Sequence, residues 1–285
     1  MLILKKYFNI LITTLIVVFC ANIPSLAQFT GGGTSASPYL LLSRADMETL
    51  VEYIETESNW TANKYFRLMV DIGSISGPWT KTIGVYSSSS NANVFQGHFD
   101  GNNKKIYLNI NNTGYLPAGL FLRIVNGSVK NLTIQGTVTG GLGGSAIGGI
   151  AGQLIDGNID NCINAATILG SQSYQVGGIA GNFSKINATA NISISNCKDS
   201  GSVTGYGAGG IVGMLDVPQG SAPAITGCVN FGIITATATD LGFGAGGICC
   251  LTLHGLIVNS VNLGKVHANA YAGGIISVNQ NVVER

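Results

Sequence analysis

The sequence predicts an all-β fold: a parallel β-helix, or solenoid, with a short N-terminal α-helical cap. Three observations carry this. Ten-residue blocks recur about every 30 residues, a Gly-Gly-initiated β-branched run recurs between them, and no helical pattern separates the copies. One coil cannot bury its own apolar face, so such repeats must stack.

Composition bounds the rest. The chain has 285 residues, 41 of them Gly, and only 9% are charged, against about 25% in ordinary domains. Formal net charge is +1, which argues against nucleic acid or an anionic membrane as partner. Hydrophobic residues make up 46%, enough to bury a core and to argue against disorder. Four of the five Glu lie between Glu48 and Glu57, so little acid–base chemistry is left elsewhere.

Residues 1–27 read as a secretory signal peptide. Lys5 and Lys6 precede the apolar run Ile10–Cys20, which is too short to span a bilayer, and Ser25-Leu26-Ala27 supplies small residues for cleavage near Ala27. The rival is a lipoprotein signal acylated at Cys20, but Val18-Phe19 lack the small residue such a site prefers. An exported protein with no transmembrane segment in the mature chain is expected.

Residues 28–94 form the expected N-terminal cap and loop. Ser43 with Asp46 makes a capping box and Leu42 with Met47 a hydrophobic staple. Met47, Leu50, Val51 and Ile54 follow at helical spacing, predicting an amphipathic helix over 44–57. A strand over 64–70 puts Phe66, Leu68 and Val70 on one face, and the Ser/Asn-rich stretch 84–94 reads as a loop. A helix laid over the first coil would cover its open edge.

Residues 95–285 are the expected solenoid, its last coil incomplete. The blocks start at Val129, Ile159, Ile194, Ile225 and Ile257. Position four runs Leu132, Cys162, Cys197, Cys228, Ser260, and position six runs Ile134, Asn164, Asp199, Asn230, Asn262. The β-branched residue at position one recurs at position ten, from Val138 to Val266. These apolar positions break strict alternation, so the strand must bend near position six, where stacked amides can bond along a ladder. GGIAG (148–152 and 177–181), GGIVG (209–213), GGICC (246–250) and GGIIS (273–277) form the second element, with Gly expected to supply positive φ at tight corners. A right-handed winding is expected, since parallel crossovers almost always take that hand.

The segment FQGHFDGNNKKIYLNI (95–110), then GLF (119–121), VKNL and the GGI-x-G and N-C-x-N-x-G-x-V elements, resembles the GLUG-motif repeats of bacterial surface proteins. SPYLLLSRADMETLVEYI, KYFRLMVDI and PWTKTIG are similar to the lead-in of such repeats, so the resemblance spans roughly 37–277. It implies an exported, adhesin-like protein of Bacteroides-type bacteria and no catalytic residue. GGICC and GGIIS depart from the pattern, and the chain stops at Arg285 in mid-coil.

Candidate chemistry is sparse. Stacked Cys162, Cys197 and Cys228 read as small hydrophobes filling a narrow interior, and Asn164, Asp199, Asn230 and Asn262 as a structural ladder. Cys249-Cys250 with His254 lacks a fourth ligand for metal, so no metal or other cofactor is expected. A glycosidase would need two close carboxylates, but Asp160 and Asp199 occupy different block positions. Tyr174, Tyr206, Phe243 and Tyr271 each precede a Gly-Gly pair by two or three residues, predicting an aromatic column at one corner. Such a column either packs the corner or stacks on sugar rings. The longer segments Asn182–Ser193 and Met214–Ala224 leave equivalent points of adjacent coils and are the other candidate binding surface. The expectation is a non-enzymatic binding or spacer module for glycans or extracellular host proteins. The alternatives are a carbohydrate-active β-helix enzyme, or an inactive fragment of a longer adhesin whose open C-terminal coil associates edge to edge.

Overall fold

The computed structural model describes residues 29–85, 93–112, 114–141, 143, 145–222, 224–240 and 242–280. The expected signal segment 1–27, with Cys20, and most of the loop 84–94 lie outside the described residues.

The molecule is a parallel β-solenoid wound on three sheets. The largest carries the ten-residue blocks, a five-stranded sheet carries the Gly-Gly turns, and a six-stranded sheet carries the β-branched runs after them. Every strand pairing within these sheets is parallel, and the predicted columns stand in register. Val129, Ile159, Ile194, Ile225 and Ile257 align. So do Ile134, Asn164, Asp199, Asn230 and Asn262 at position six.

The column also continues upstream of the blocks. Tyr39–Leu41 pairs with Tyr65–Leu68, which pairs with His98–Asn112, placing Phe66, Phe99 and Val129 in one line. Between Asp100 and Lys104 the register shifts, and Asn102 and Asn103 absorb the extra length at positive φ. This bulge hides the kinship of 98–112 with the later blocks.

The helix spans Arg44–Thr56, with Met47, Leu50, Val51 and Ile54 buried. Ser43 accepts from the Asp46 N–H, and the Asp46 carboxylate reaches back to the Leu42 N–H at 2.8 Å. Two details differ from expectation. Leu42 is 49% exposed, so it makes no buried staple with Met47, and Val70 is exposed because the strand ends at Leu68 and the chain turns away. Phe29, Tyr53, Trp60 and Phe66 complete the seal over the first coil, Tyr53 stacking on Trp60 at 4.3 Å.

The corners are made differently from the prediction. None of the glycines in the Gly-Gly pairs has positive φ. They are there for space: a Cβ on Gly177 would lie 2.1 Å from the Ala180 carbonyl oxygen, and one on Gly178 would lie 2.3 Å from that of Gly210 and 2.8 Å from Asp199 Oδ1. The second glycine thus faces the position-six ladder across a narrow interior. Positive φ falls instead at block position three, on Asn131, Asn161, Asn196, Gly227 and Asn259. Asn and Gly tolerate that conformation best, and the pattern was visible in the blocks as N, N, N, G, N. The bend near position six is present as well, each polar side chain there accepting from the N–H two residues on, as in Ala166 to Asn164 Oδ1 at 2.9 Å and Gly232 to Asn230 Oδ1 at 2.8 Å.

Candidate functional site

The three inward columns explain most of the polar and thiol residues. Cys162, Cys197 and Cys228 are buried, unpaired thiols, and burial pushes Cys197 well above the ordinary thiol range. Cys249 and Cys250 are buried too, and burial raises Cys250 to about 11, so neither is a ready thiolate. No group of three metal-ligating side chains occurs among the described residues.

The ladder has one irregular rung. Asn164 Nδ2 donates to Asp199 Oδ1 at 2.6 Å, and Asn230 Nδ2 donates to Asn262 Oδ1 at 2.8 Å. Asp199 lacks the amide N–H that would continue the chain to Asn230, and its buried Oδ2 has no partner among the described residues. Burial pushes its carboxyl up to about 7, against which the Asn164 and Gly201 hydrogen bonds work. Asp160 faces outward instead, accepting from Ser195 Oγ at 2.7 Å and Asn196 Nδ2 at 2.9 Å. The two aspartates therefore do not form a catalytic pair.

The aromatic residues do converge, with one exception. Tyr174 and Phe243 lie parallel with centroids 4.8 Å apart, and Tyr206 stands edge-on to both at 5.7 and 6.0 Å. With Gln172, Gly143 and Asp240 they line an open cleft of about 450 Å³. The Tyr206 hydroxyl donates to Asp240 Oδ2 at 2.5 Å, and that bond raises the phenol pKa. Asp240 Oδ1 accepts from the Gly242 N–H, which fixes the carboxylate at the rim. Tyr271 is not part of the cluster. It pairs with Gly244, so it stands level with the residue after Phe243, and one residue of offset in a strand turns a side chain to the other face. The sequence carried no signal for Asp240, because the loop that returns it to Tyr206 has no counterpart in the neighbouring coils.

A second polar cleft, of about 200 Å³, lies near the N-terminal end. Register stacks Tyr65, His98 and Ser128 in one outward column and Arg67, Asp100 and Lys130 in the next. The Tyr65 and His98 rings stack at 4.4 Å, and His98 Nδ1 lies 2.8 Å from Ser128 Oγ. Burial and the Lys130 charge lower the His98 pKa, keeping the imidazole neutral near pH 7. Burial opposes ionisation of Asp100, but Asn131, the Asn102 N–H, Lys130 and Arg67 outweigh it and hold its pKa low.

The segments 185–192 and 217–222 leave in-register strands, with Ser184 beside Asp216, and share a hollow of about 230 Å³. No helix among the described residues is long and apolar enough to cross a membrane.

Fold and surface together define the class: a parallel β-solenoid of stacked repeats with an exposed aromatic corner. No protein-family model matches the chain. It is similar to a crystal structure of a candidate immunoglobulin A1 protease from Bacteroides ovatus, with a TM-score of 0.55 and 18% identity over 88% of this chain and 86% of that one. At that identity the likeness is one of fold. Over 164 residues, 54% of this chain, it is 30% identical to Halomucin from Haloquadratum walsbyi, and it spans only 2% of that protein's length.

Proposed function

We propose that this chain is an exported, non-enzymatic binding module of a cell surface, with glycans as its partners. The observation that carries this is the cleft of Tyr174, Tyr206 and Phe243 with Asp240 on its rim: partly exposed rings, two of them stacked on each other, beside a fixed hydroxyl-accepting group. Apolar ring faces take the C–H face of a sugar, and a carboxylate accepts from its hydroxyls. A stack of coils holds these groups at fixed spacing without further support. Similarity to part of a much larger protein named Halomucin fits a surface role. The test is retention of the purified chain on immobilised glycans and extracellular-matrix proteins, with soluble product read from the same wells. Retention without product, reduced at least tenfold by Phe243→Ala, is the expected result.

A second reading rests on the His98–Ser128 contact. A neutral imidazole beside a serine hydroxyl is the start of a nucleophile–base pair, and the Bacteroides neighbour is named a protease candidate. Product release that disappears in both Ser128→Ala and His98→Ala would favour hydrolysis over binding.

A further inference from the structure

The aromatic cleft is one end of a longer feature. Tyr115 is 74% exposed, and its ring lies beside Gly143, where an added Cβ would sit 3.4 Å from it. Gly143 also lines the cleft of Tyr174, Tyr206 and Phe243. The registers Ala118–Ile147, Ile147–Val176, Val176–Ala208 and Ala208–Ala245 place Tyr115, Gly143, Tyr174, Tyr206 and Phe243 on five successive coils. Coils stack about 4.8 Å apart, so these backbone stations span roughly 19 Å along the axis, while the Tyr174 and Phe243 rings, two coils apart, lean together to a centroid distance of 4.8 Å. Gly143 places no side chain between these ring-bearing stations, and the Tyr115 ring lies against it.

We propose that this ridge binds an extended, uncharged oligosaccharide lying parallel to the solenoid axis, spanning about four sugar rings. The inference rests on the glycan-binding reading and adds the ligand's length, direction and charge. Length follows from the coil spacing, since a hexose ring in an extended chain is about as long as one coil step of roughly 4.8 Å. Charge follows from the lining. Among the described residues that line the cleft Asp240 is the one carboxylate and none is Lys, Arg or His, so a polyanionic chain would meet a like charge and no cation. Asp240 and Gln172 flank the rings and supply hydrogen bonds to hydroxyls, while Asp240 is itself held by Tyr206 and Gly242. A single sugar would use the Tyr174–Phe243 end alone; only a chain reaches Tyr115.

The test is calorimetric titration of the purified chain with β-1,4-linked glucose oligomers of two, four and six units and with an oligogalacturonate hexamer. Affinity should rise about tenfold from dimer to tetramer and level off at the hexamer, as added ring contacts accumulate and then run out. Tyr115→Ala should weaken the tetramer severalfold and leave the dimer unchanged, and Phe243→Ala should weaken both. Tyr115 is exposed, so its loss leaves the fold intact, which amide exchange would verify. Equal affinity for dimer and tetramer, with Phe243→Ala still damaging, would overturn the extended site while sparing the glycan reading. Tighter binding of oligogalacturonate would overturn the charge assignment. Binding of no oligomer at all would overturn the inference, and retention of a matrix protein in the same preparation would overturn the glycan reading with it.

Discussion

The two ends of the solenoid bury the same kinds of residue to different depths. At the N-terminal end Phe66, Leu68, Trp79 and Phe99 are fully buried, in one core cluster with the inner face of the helix Arg44–Thr56. In the coil 257–279 the column of Phe66 and Phe99 reaches Ile257, and Ile257, Val266 and Ile276 are all only partly buried. Ile225 and Asn230, one coil earlier, are completely buried, yet Ile257 and Asn262 directly beneath them in register are not. Burial in a stacked fold is therefore a property of the neighbouring coil rather than of the residue. Stability follows as a sum of interfaces between coils, and an end needs a covering element to match the middle.

That contrast can be broken most strongly in the aromatic end. Phe99→Ala should cost about 3–5 kcal/mol, while Ile276→Ala should cost less than the ~2 kcal/mol at the low end of buried truncations. Urea unfolding followed by amide exchange in each coil would measure both. Equal losses would mean the last coil is packed as tightly as the first.

The glycine column tests the same difference with one methyl group. Gly178→Ala must push against the Gly210 carbonyl and the Asp199 carboxyl, with an overpacking cost of about 1–3 kcal/mol or more. At Gly274, in the same column, no described atom lies within 4 Å of an added Cβ. Gly274→Ala should be neutral, or stabilising by up to about 1 kcal/mol through the unfolded chain. Thermal melts of the two variants would decide it.

Asp199 makes the buried middle sensitive to pH. Its folded pKa, about 7, lies above the ~3.9 of an exposed aspartate, so the unfolded chain releases this proton first. Its contribution is fully present below the unfolded value and is lost as pH rises through 7. Between pH ~5 and ~7 stability should fall by up to roughly 1.4 kcal/mol per pH unit. Asp199→Asn should abolish this slope and supply the missing donor toward Asn230. Asn262→Asp, at the partly exposed end, should create a much weaker slope. A slope unchanged in Asp199→Asn would assign it to another group.

The smallest effect is expected at the proposed binding surface. Tyr174→Ala and Asp240→Asn should shift stability by no more than about 0.5 kcal/mol while lowering glycan retention. A large loss of stability would make the cluster a packing element of its corner, the other reading of the column.

Much of this was legible along the chain. The register of five blocks follows from Val129, Ile159, Ile194, Ile225 and Ile257, because identical residue types stack and a slip by one residue would turn every apolar side chain outward. The helix over 44–57 was legible from its cap and its spacing. Other features were not. The sequence points positive φ to the Gly-Gly corners, whereas it sits at block position three, on Asn131, Asn161, Asn196, Gly227 and Asn259, and the sequence alone does not distinguish a glycine needed for φ from one needed for space. Along the chain Tyr271 and Phe243 stand two and three residues before their Gly-Gly pairs, while membership of the cluster depends on which face a strand residue takes. His98 and Ser128 are 30 residues apart and share no local motif, so only stacking reveals their contact.

The sequence by itself determined the repeat, the β class, the inward columns and the capping helix, because each depends on residue type at a fixed local spacing. Tertiary structure alone decided which side chains meet across coils: the aromatic cleft with Asp240, the His98–Ser128 pair and the unpartnered oxygen of Asp199. Those contacts depend on where loops of unequal length return the chain, and on burial that a coil receives from its neighbour. Neither quantity is written in any single repeat.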